Sequence, residues 1–102
     1  MTTDTATTYA VAYLNVRDPE TFGRYREQAG EALAKHGGRV AVAVPKPIRL
    51  EGAMETPGTM VLLEFDSLEG AERWHADPDL ADIHDLRRKG AEISIFVLKD
   101  SA

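Results

Sequence analysis

The sequence predicts one α+β domain, in which four antiparallel strands form a sheet and two helical regions cover one of its faces. Three observations support this prediction. The chain has 102 residues, which suits a single domain. Short runs of β-branched and apolar residues alternate with segments in which apolar residues recur at helical spacing. Aspartate, proline and glycine residues stand between these segments, where turns and helix ends are expected.

The first half of the domain opens with a strand and a helix. Residues Tyr9–Val16 have the length and residue types of a strand. Asp18 and Pro19 form a strong helix start, because aspartate is a preferred N-cap and proline is preferred at the first helical position. Apolar residues then recur at helical spacing as far as Gly37 and Gly38, which end the helix.

Two further strands are predicted in the middle of the chain. The first covers residues 39–44 (RVAVAV), and Pro45 and Pro47 end or bend it. Proline cannot donate a hydrogen bond to a neighbouring strand, so this strand is expected at the edge of the sheet or in a hairpin arm. Residues 48–51 are a candidate continuation of the arm. Residues 59–65 (TMVLLEF) form the next strand after a turn-rich connection.

The second helical region is interrupted. Ser67 is a candidate N-cap for its first part. Asp77 and Pro78 break the helix, because a residue that precedes proline avoids the helical conformation. A second helical part then runs to Gly90, and residues 93–98 (ISIFVL) form the last strand. The order strand, helix, strand, strand, helix, strand predicts a ferredoxin-like βαββαβ fold with both helical regions on one face of the sheet.

Both faces of the predicted sheet are rich in apolar residues. Side chains alternate between the faces along a strand, and in the first, third and fourth strands both alternating sets are largely apolar. The helical regions can cover only one face, and a large uncovered apolar face is rare on a monomer. The sequence therefore predicts a homodimer in which the sheets of two copies pack together about a two-fold axis.

The ends of the chain and its composition limit where the protein works. Residues 1–8 are polar and lack apolar periodicity, so a disordered tail is expected there, followed by one domain over 9–99. No apolar run approaches the roughly 20 residues that span a bilayer, and the N-terminus lacks a charged and apolar leader. Cysteine is absent, which excludes disulfides and thiolate catalysis. These features predict a cytoplasmic protein that does not bind membranes.

The charge distribution argues against nucleic-acid binding. The net charge is -5, and the 12 basic residues are scattered except for Arg87, Arg88 and Lys89. A nucleic-acid-binding protein needs a basic face to displace counterions from phosphates. The basic run is predicted to form the last turn of a helix, where cations suit the helix dipole. The alternative is a site for a phosphate or a carboxylate.

Several short motifs occur in order along the chain. They are Asp18-Pro19, His36-Gly37-Gly38-Arg39, Leu50-Glu51-Gly52, residues 63–69 (LEFDSLE), residues 74–78 (WHADP) and Leu86-Arg87. With these motifs the chain, from Tyr9 to Leu98, resembles the small bacterial proteins of domain-of-unknown-function family 1330, in the dimeric α/β-barrel superfamily. The resemblance implies the same fold and the same dimer, but no agreed reaction.

The chain departs from this family in its second helical region. The family often has tyrosine where His75 and Leu80 stand, and commonly a residue other than histidine where His84 stands. The two histidines therefore look particular to this chain, which indicates either an acquired activity or drift. By analogy with the superfamily, haem on His75 or His84 is an alternative to a site without a cofactor.

Five polar residues are predicted to converge on one cleft between the sheet and the second helical region. They are Asn15, Glu64, His75, His84 and Arg87. Glu64 lies in an apolar strand and needs a partner, because burying an unpaired carboxylate is unfavourable. Arg87 is the expected partner, and a purely structural pair of Glu64 with Arg87 or Arg39 is the alternative. A slip of one residue would turn Glu64 toward the dimer interface.

Each candidate has a predicted role. Glu64, His75, His84 and Arg87 are the candidate catalytic residues, while Asn15, Tyr13, Tyr25 and Trp74 are the candidate substrate-binding residues. Glu64 or His75 is expected to transfer a proton, since an imidazole or a carboxylate can act as a general acid or base. Arg87 with Asn15 is expected to hold an enolate or a carboxylate. Core packing is the alternative for the three aromatic residues.

Two classes of function follow. The sequence lacks metal-binding histidine spacings, a nucleophile elbow and a phosphate-binding loop, so no metal and no cofactor are expected. Similar barrels of the superfamily imply a cofactor-free isomerase, cyclase or monooxygenase of secondary or aromatic metabolism, acting on a small apolar oxygenated molecule. The alternative is a noncatalytic dimer that binds a ligand or a protein. A carboxylate and a histidine satisfied by internal pairs would favour the alternative.

Overall fold

The computed structural model describes residues 7–98, and its elements follow the predicted order. The elements are β1 (Thr8–Val16), α1 (Pro19–Ala34), β2 (Gly38–Pro45), β3 (Thr59–Phe65), α2 (Leu68–Ala76), a 3₁₀ turn (Pro78–Leu80), α3 (Ala81–Gly90) and β4 (Ala91–Leu98). The four strands form one antiparallel sheet in the order β2-β3-β1-β4. This arrangement confirms the predicted ferredoxin-like fold.

Two predicted segments differ from the structure. Thr8 belongs to β1, where it pairs with Phe65, although it was placed in the predicted tail. Residues 48–51 are not a strand, and the prediction of a longer β2 arm is wrong. The cause is local, since Pro45 ends β2 and the next residue, Lys46, has a positive φ of 54° that turns the chain away. Thr7 is exposed and outside any strand or helix, while residues 1–6 of the predicted tail and residue 99 at the domain end lie outside the described residues.

The break between α2 and α3 is fixed by the side chain of Asp77. It accepts hydrogen bonds from the backbone N–H of Asp79 at 2.8 Å and from His36 Nε2 at 2.8 Å, and it lies 2.8 Å from Lys35 Nζ. The bond from Lys35, followed by that from His36, holds the pKa of Asp77 well below its usual range. Asp77 therefore stays ionised and ties the end of α1 to the start of the 3₁₀ turn.

The opposite end of α2 is held against the segment that follows α1. Ser67 caps α2 by accepting a hydrogen bond from Gly70 N at 3.0 Å. Gly70 has no room for a side chain, because a Cβ there would lie 2.5 Å from the carbonyl oxygen of His36. With both ends of α2 anchored, the orientation of the residues that it turns toward the sheet is fixed.

The helices cover one face of the sheet only. Alanines at positions 10 and 12 of β1, with Leu63 and Phe65 of β3, are buried beneath them. The opposite face, called the open face here, carries no helix and includes half-exposed apolar side chains such as Phe96, which is 57% exposed. The body measures 45 × 39 × 17 Å, so its thin dimension holds just these two layers. No helix within residues 7–98 has the length and apolar character needed to cross a membrane.

Candidate ligand-binding cleft

A cleft of about 540 Å³ lies between the sheet and the α2–α3 region. Apolar side chains of the sheet form one wall, and the helices supply an aromatic, a histidine and an arginine on the other. The residues that line the cleft include Phe65, Ile93, Ile95 and Val97 on the sheet side and Ala71, Trp74, His75 and Arg87 on the helix side. A volume of this size suits a small molecule, which would meet mostly apolar surface with a few polar groups on one side.

Arg87 is the most unusual residue of the cleft. It is 2% exposed, and none of the acidic side chains within residues 7–98 forms a salt bridge with it. Its guanidinium lies between two aromatic rings, with Cζ 5.1 Å from the ring centroid of Trp74 and 5.7 Å from that of Tyr25. Cation–π contacts of this kind stabilise the charge only partly. A buried cation without an anion is costly, so this arginine is poised to receive one.

His84 orients the guanidinium of Arg87. His84 Nδ1 lies 2.9 Å from Arg87 Nη1, and His84 Nε2 lies 2.8 Å from the carbonyl oxygen of Trp74. A guanidinium can only donate and a carbonyl can only accept, so Nδ1 is the acceptor and Nε2 carries the proton. Burial lowers the pKa of His84, and the charge of Arg87 lowers it further. His84 is therefore a neutral imidazole that positions Arg87, with neither nitrogen free to exchange protons with a ligand.

The lowered pKa of His84 predicts a loss of stability on acidification. The unfolded chain takes up a proton near the ordinary pKa of 6.5, whereas the folded chain does so only at lower pH. The unfolded state thus binds more protons between the two values, and the free energy of unfolding falls as pH drops through this window, by at most about 1.4 kcal/mol per pH unit. Urea unfolding at several pH values between roughly 8 and 5 measures how the free energy of unfolding changes with pH, which is the slope compared below.

Two histidine variants separate this effect from general acid sensitivity. We expect His84→Gln to reduce the slope, because glutamine can replace both hydrogen bonds and does not titrate. The comparison variant, His75→Gln, removes only the small contribution of His75 to the lowered pKa of His84, so it should change the slope less than His84→Gln does. An identical slope in wild type and His84→Gln would show that His84 does not resist protonation in the folded protein.

Two buried donors of the cleft region have no acceptor. Trp74 Nε1 and Arg87 Nε are both buried, and neither has a hydrogen-bond partner among residues 7–98. Buried polar groups are nearly always paired, and leaving one unpaired costs roughly 1–3 kcal/mol. Both groups are donors, and one carries a positive charge. The site is therefore suited to an acceptor oxygen, such as that of a carboxylate or an enolate.

His75 completes the polar side of the cleft. Its exposed ring lines the cleft and stacks on the ring of His84, with centroids 6.1 Å apart and an interplanar angle of 26°. Unlike His84, it forms no hydrogen bond with any other residue in the range 7–98. An unpaired imidazole at the mouth of a cleft can reach a ligand, which makes His75 the histidine available for proton transfer.

The sequence profile of a known family covers nearly the whole chain. Residues 7–101 match the profile described as Domain of unknown function (DUF1330). The chain belongs to the DUF1330 family. This membership confirms the resemblance that the order of the sequence motifs indicated. A comparison of the DUF1330 chain with curated proteins finds no match.

Solved structures share the fold of this DUF1330 chain. A protein of unknown function from Rhodopseudomonas palustris superposes with a TM-score of 0.75 and 16% identity, covering 97% of this chain and 85% of the other. SnoaB, a cofactor-independent oxygenase from Streptomyces nogalater, gives 0.64 and 12%, covering 94% of each chain. A dimeric ferredoxin-like protein of unknown function from Jannaschia sp. CCS1 gives 0.60 and 14%, covering 93% and 100%. At these identities the similarity supports the fold alone.

The predicted convergence of five polar residues is wrong for this DUF1330 protein. Leu63 and Phe65 face the helices, so the alternation of β3 turns Glu64 to the open face. Glu64 there accepts a hydrogen bond from Arg39 Nε at 3.0 Å. Asn15 also lies on the open face, and its Oδ1 accepts a hydrogen bond from Gly58 N at 2.7 Å. Neither residue reaches the cleft, and the structural pairing of Glu64 with Arg39 is the one observed.

The predicted aromatic residues of the DUF1330 chain divide between the two faces. Trp74 lines the cleft, and Tyr25 lies against Arg87. Tyr13 is on the open face, where its ring meets that of Phe96 edge to face at 5.9 Å, so it does not line the cleft. Sequence reasoning did not select the apolar wall of the cleft. Alternation in the last strand, which puts Ile93, Ile95 and Val97 on one side, was the available signal.

No group of three or more histidine, aspartate or glutamate side chains within the described range 7–98 is arranged to hold a metal ion. The acidic residue nearest to the cleft is Glu72, which lines its rim and is exposed. The polar side of the cleft in this DUF1330 protein therefore consists mainly of donors and one unpaired imidazole.

Proposed function

We propose that the protein is a cofactor-free enzyme that acts on a small, largely apolar, oxygenated molecule in the cleft between the sheet and the helices. The observation that carries this proposal is the buried guanidinium of Arg87, which has no carboxylate partner within residues 7–98 and holds an unpaired Nε. A fixed positive charge in a mostly apolar cleft stabilises an oxygen on which negative charge develops. The fold shared with SnoaB, a cofactor-independent oxygenase, supports the same class of function.

The residues of the cleft support an enolisation step. His75 takes a proton from a carbon next to a carbonyl group, and the electron pair of the C–H bond moves to the carbonyl oxygen to give an enolate. The guanidinium of Arg87 holds the enolate oxygen, while His84 keeps the guanidinium in place. Return of the proton from His75 to a different carbon gives an isomer of the substrate. Isomerase and cyclase reactions both proceed through such an enolate. These two reaction types are therefore the ones that the cleft supports best.

Deuterium exchange tests this proposal. We expect protein purified from its own host to retain a small molecule that native mass spectrometry can identify. When that molecule is incubated with the protein in D₂O, a carbon-bound hydrogen should exchange for deuterium. His75→Gln should slow the exchange about a hundredfold, the usual contribution of a general base, and still bind the molecule. The matched control is Arg73→Gln, at an exposed position of the same helix.

A noncatalytic ligand-binding protein is the second candidate, and one observation favours it. Glu64 is paired with Arg39, and both ring nitrogens of His84 are occupied by internal partners. These are the satisfied groups that the sequence associated with a binding function. The same experiment separates the two candidates, because a retained molecule that wild-type protein does not exchange in D₂O would leave binding alone.

The proposal includes a homodimer formed through the open face. Val42 and Val44 of β2 are 46% and 41% exposed there, and Leu98 of β4 is 52% exposed. Next to this face, the connection between β2 and β3 carries Ile48 and Leu50, which are 89% and 98% exposed. A second copy would cover this apolar surface by a two-fold contact. The protein from Jannaschia sp. CCS1, which has the same fold and is dimeric, supports a dimeric state but does not indicate which face forms it.

The cellular setting is part of the same proposal. The net charge of -5 makes nucleic acid an unsuitable partner, and the absence of cysteine suits a reducing compartment. We therefore place the protein in the bacterial cytoplasm, with a role in secondary metabolism. A biosynthetic gene cluster around its gene would support that role, and a neighbourhood of unrelated genes would count against it.

A further inference from the structure

A second cavity lies between α1 and the sheet. Its volume is about 580 Å³, and its walls are mainly aliphatic and aromatic. They include Leu14, Phe22, Ala29, Leu33, Val61 and Leu63. Arg26 is the one charged residue among those that line it, and it is exposed. This cavity has the character of a site for an apolar group, since it lacks the buried polar anchors that the cleft has.

The second cavity adjoins the cleft. Ile93 and Ile95 of β4 line both spaces. Tyr25 lines the second cavity, and its ring centroid lies 5.7 Å from the guanidinium carbon of Arg87, which lines the cleft. The buried cation therefore stands at the boundary between a donor-bearing space and an apolar one. A single molecule with an anionic end and an apolar body would match both.

We propose that the two cavities bind one amphiphilic monocarboxylate. Its carboxylate pairs with the guanidinium of Arg87 beside Trp74, both of which line the cleft, and its apolar body passes Ile93 and Ile95 and lies beneath α1. The inference rests on the proposed function in one respect, the assignment of Arg87 as the group that binds oxygen. It goes further by naming the ligand class and by adding the cavity under α1 to the site.

Charge and shape both favour this ligand class. The two unpaired groups are donors, so they suit a carboxylate better than an amine or an ammonium, which would repel the guanidinium. A carboxylate would also neutralise a cation that is 2% exposed and lacks a partner within residues 7–98. The small side chain of Ala29 keeps the space under α1 open, and Gly30 beside it has no atom within 4 Å of a Cβ position.

A chain-length series tests the inference. The chain contains one tryptophan, Trp74, so its fluorescence reports directly on the cleft. We expect hexanoate, octanoate and decanoate to bind progressively more tightly, by up to about fourfold for each added methylene group that is buried. Decanol, which has the same apolar body and no charge, should bind at least about tenfold more weakly than decanoate. Equal affinity for decanol and decanoate would overturn the inference.

Variants of α1 locate the apolar body. Ala29→Phe fills the second cavity and should remove the gain from hexanoate to decanoate while leaving hexanoate affinity unchanged. The matched control, Ala34→Phe, places the same side chain on an exposed position of α1 that lines neither cavity. Gly30→Leu is the second variant if circular dichroism shows that Ala29→Phe does not fold. Undiminished chain-length dependence in a folded cavity-filling variant would overturn the proposed place of the apolar body.

The failure of this inference is distinguishable from that of the proposed function. If a molecule retained from the host requires Arg87 for binding but the fatty acids do not bind, the ligand class is wrong and the oxygen-binding role of Arg87 stands. If neither the retained molecule nor the fatty acids lose affinity in Arg87→Met, both fail.

Discussion

Leu62→Asp is expected to convert the proposed dimer into a monomer. Leu62 of β3 lies at the centre of the open face. Its neighbours on the adjacent strands are Val11 of β1 and Val42 of β2. In a two-fold interface each substitution occurs twice, so two carboxylates would be buried without partners. We expect the dissociation constant to rise about a thousandfold or more. Sedimentation at micromolar concentration should give about twice 11.2 kDa for wild type and the single-chain mass for the variant.

A matched control and a milder variant accompany this test. Gln28→Glu adds the same charge at an exposed position of α1, on the opposite side of the molecule, and should remain dimeric. Val42→Lys places a charge at the edge strand of the open face, where it is less able to disturb the fold of one subunit. A wild-type protein that sediments as a monomer would refute the dimer, whatever the variants do.

Arg87→Met is expected to weaken ligand binding strongly without loss of stability. Methionine keeps most of the apolar volume between Trp74 and Tyr25 but removes the charge and both the paired and unpaired donors. Ligand affinity should fall about a hundredfold, the value of a charge-assisted hydrogen-bond pair. The melting temperature should stay the same or rise, because a buried cation without a partner is removed. Isothermal calorimetry with the retained molecule and thermal unfolding measure the two effects.

A fall in ligand affinity without a fall in melting temperature would distinguish a ligand-binding role of Arg87 from a structural one. Lys89→Met removes a charge from an exposed position of the same helix and should change neither quantity appreciably. Arg87→Lys keeps the charge but loses the planar fork that meets His84, so its affinity should lie between wild type and Arg87→Met. An Arg87→Met protein that unfolds at markedly lower temperature would identify the arginine as a structural residue that holds α3 on the sheet.

The sequence predicted the fold well because its signals are local. Asp18 and Pro19 mark the start of α1, and Asp77 and Pro78 mark the break between α2 and α3, through backbone preferences that need no knowledge of tertiary contacts. The alternation of the strands was also predictable. The break places His75 and Arg87 on separate helices, and both residues line the cleft.

The choice of face could not be made from alternation alone. Both faces of β3 are apolar, so the pattern that separates Glu64 from Leu63 does not say which of them meets the helices. The small residues Ala10 and Ala12 of β1 carried a usable signal, since helices approach a sheet most closely over small side chains. Arg87 has no carboxylate partner within residues 7–98. This fact depends on how distant segments of the chain are placed relative to one another, and the spacing of residues along the sequence does not reveal that placement.

The sheet keeps two kinds of surface apart. In β1 the even-numbered residues face the helices, and in β3 and β4 the odd-numbered ones do, so the lining of the two cavities and the open face share no side chain of these strands. Ile95 borders both cavities, while its neighbours Ser94 and Phe96 point away from them. Selection for a new ligand can therefore act on one set of positions without altering the other. Substitutions that change ligand specificity can therefore accumulate independently of those that change the subunit interface. The strands on which both sets of positions lie are only seven to nine residues long.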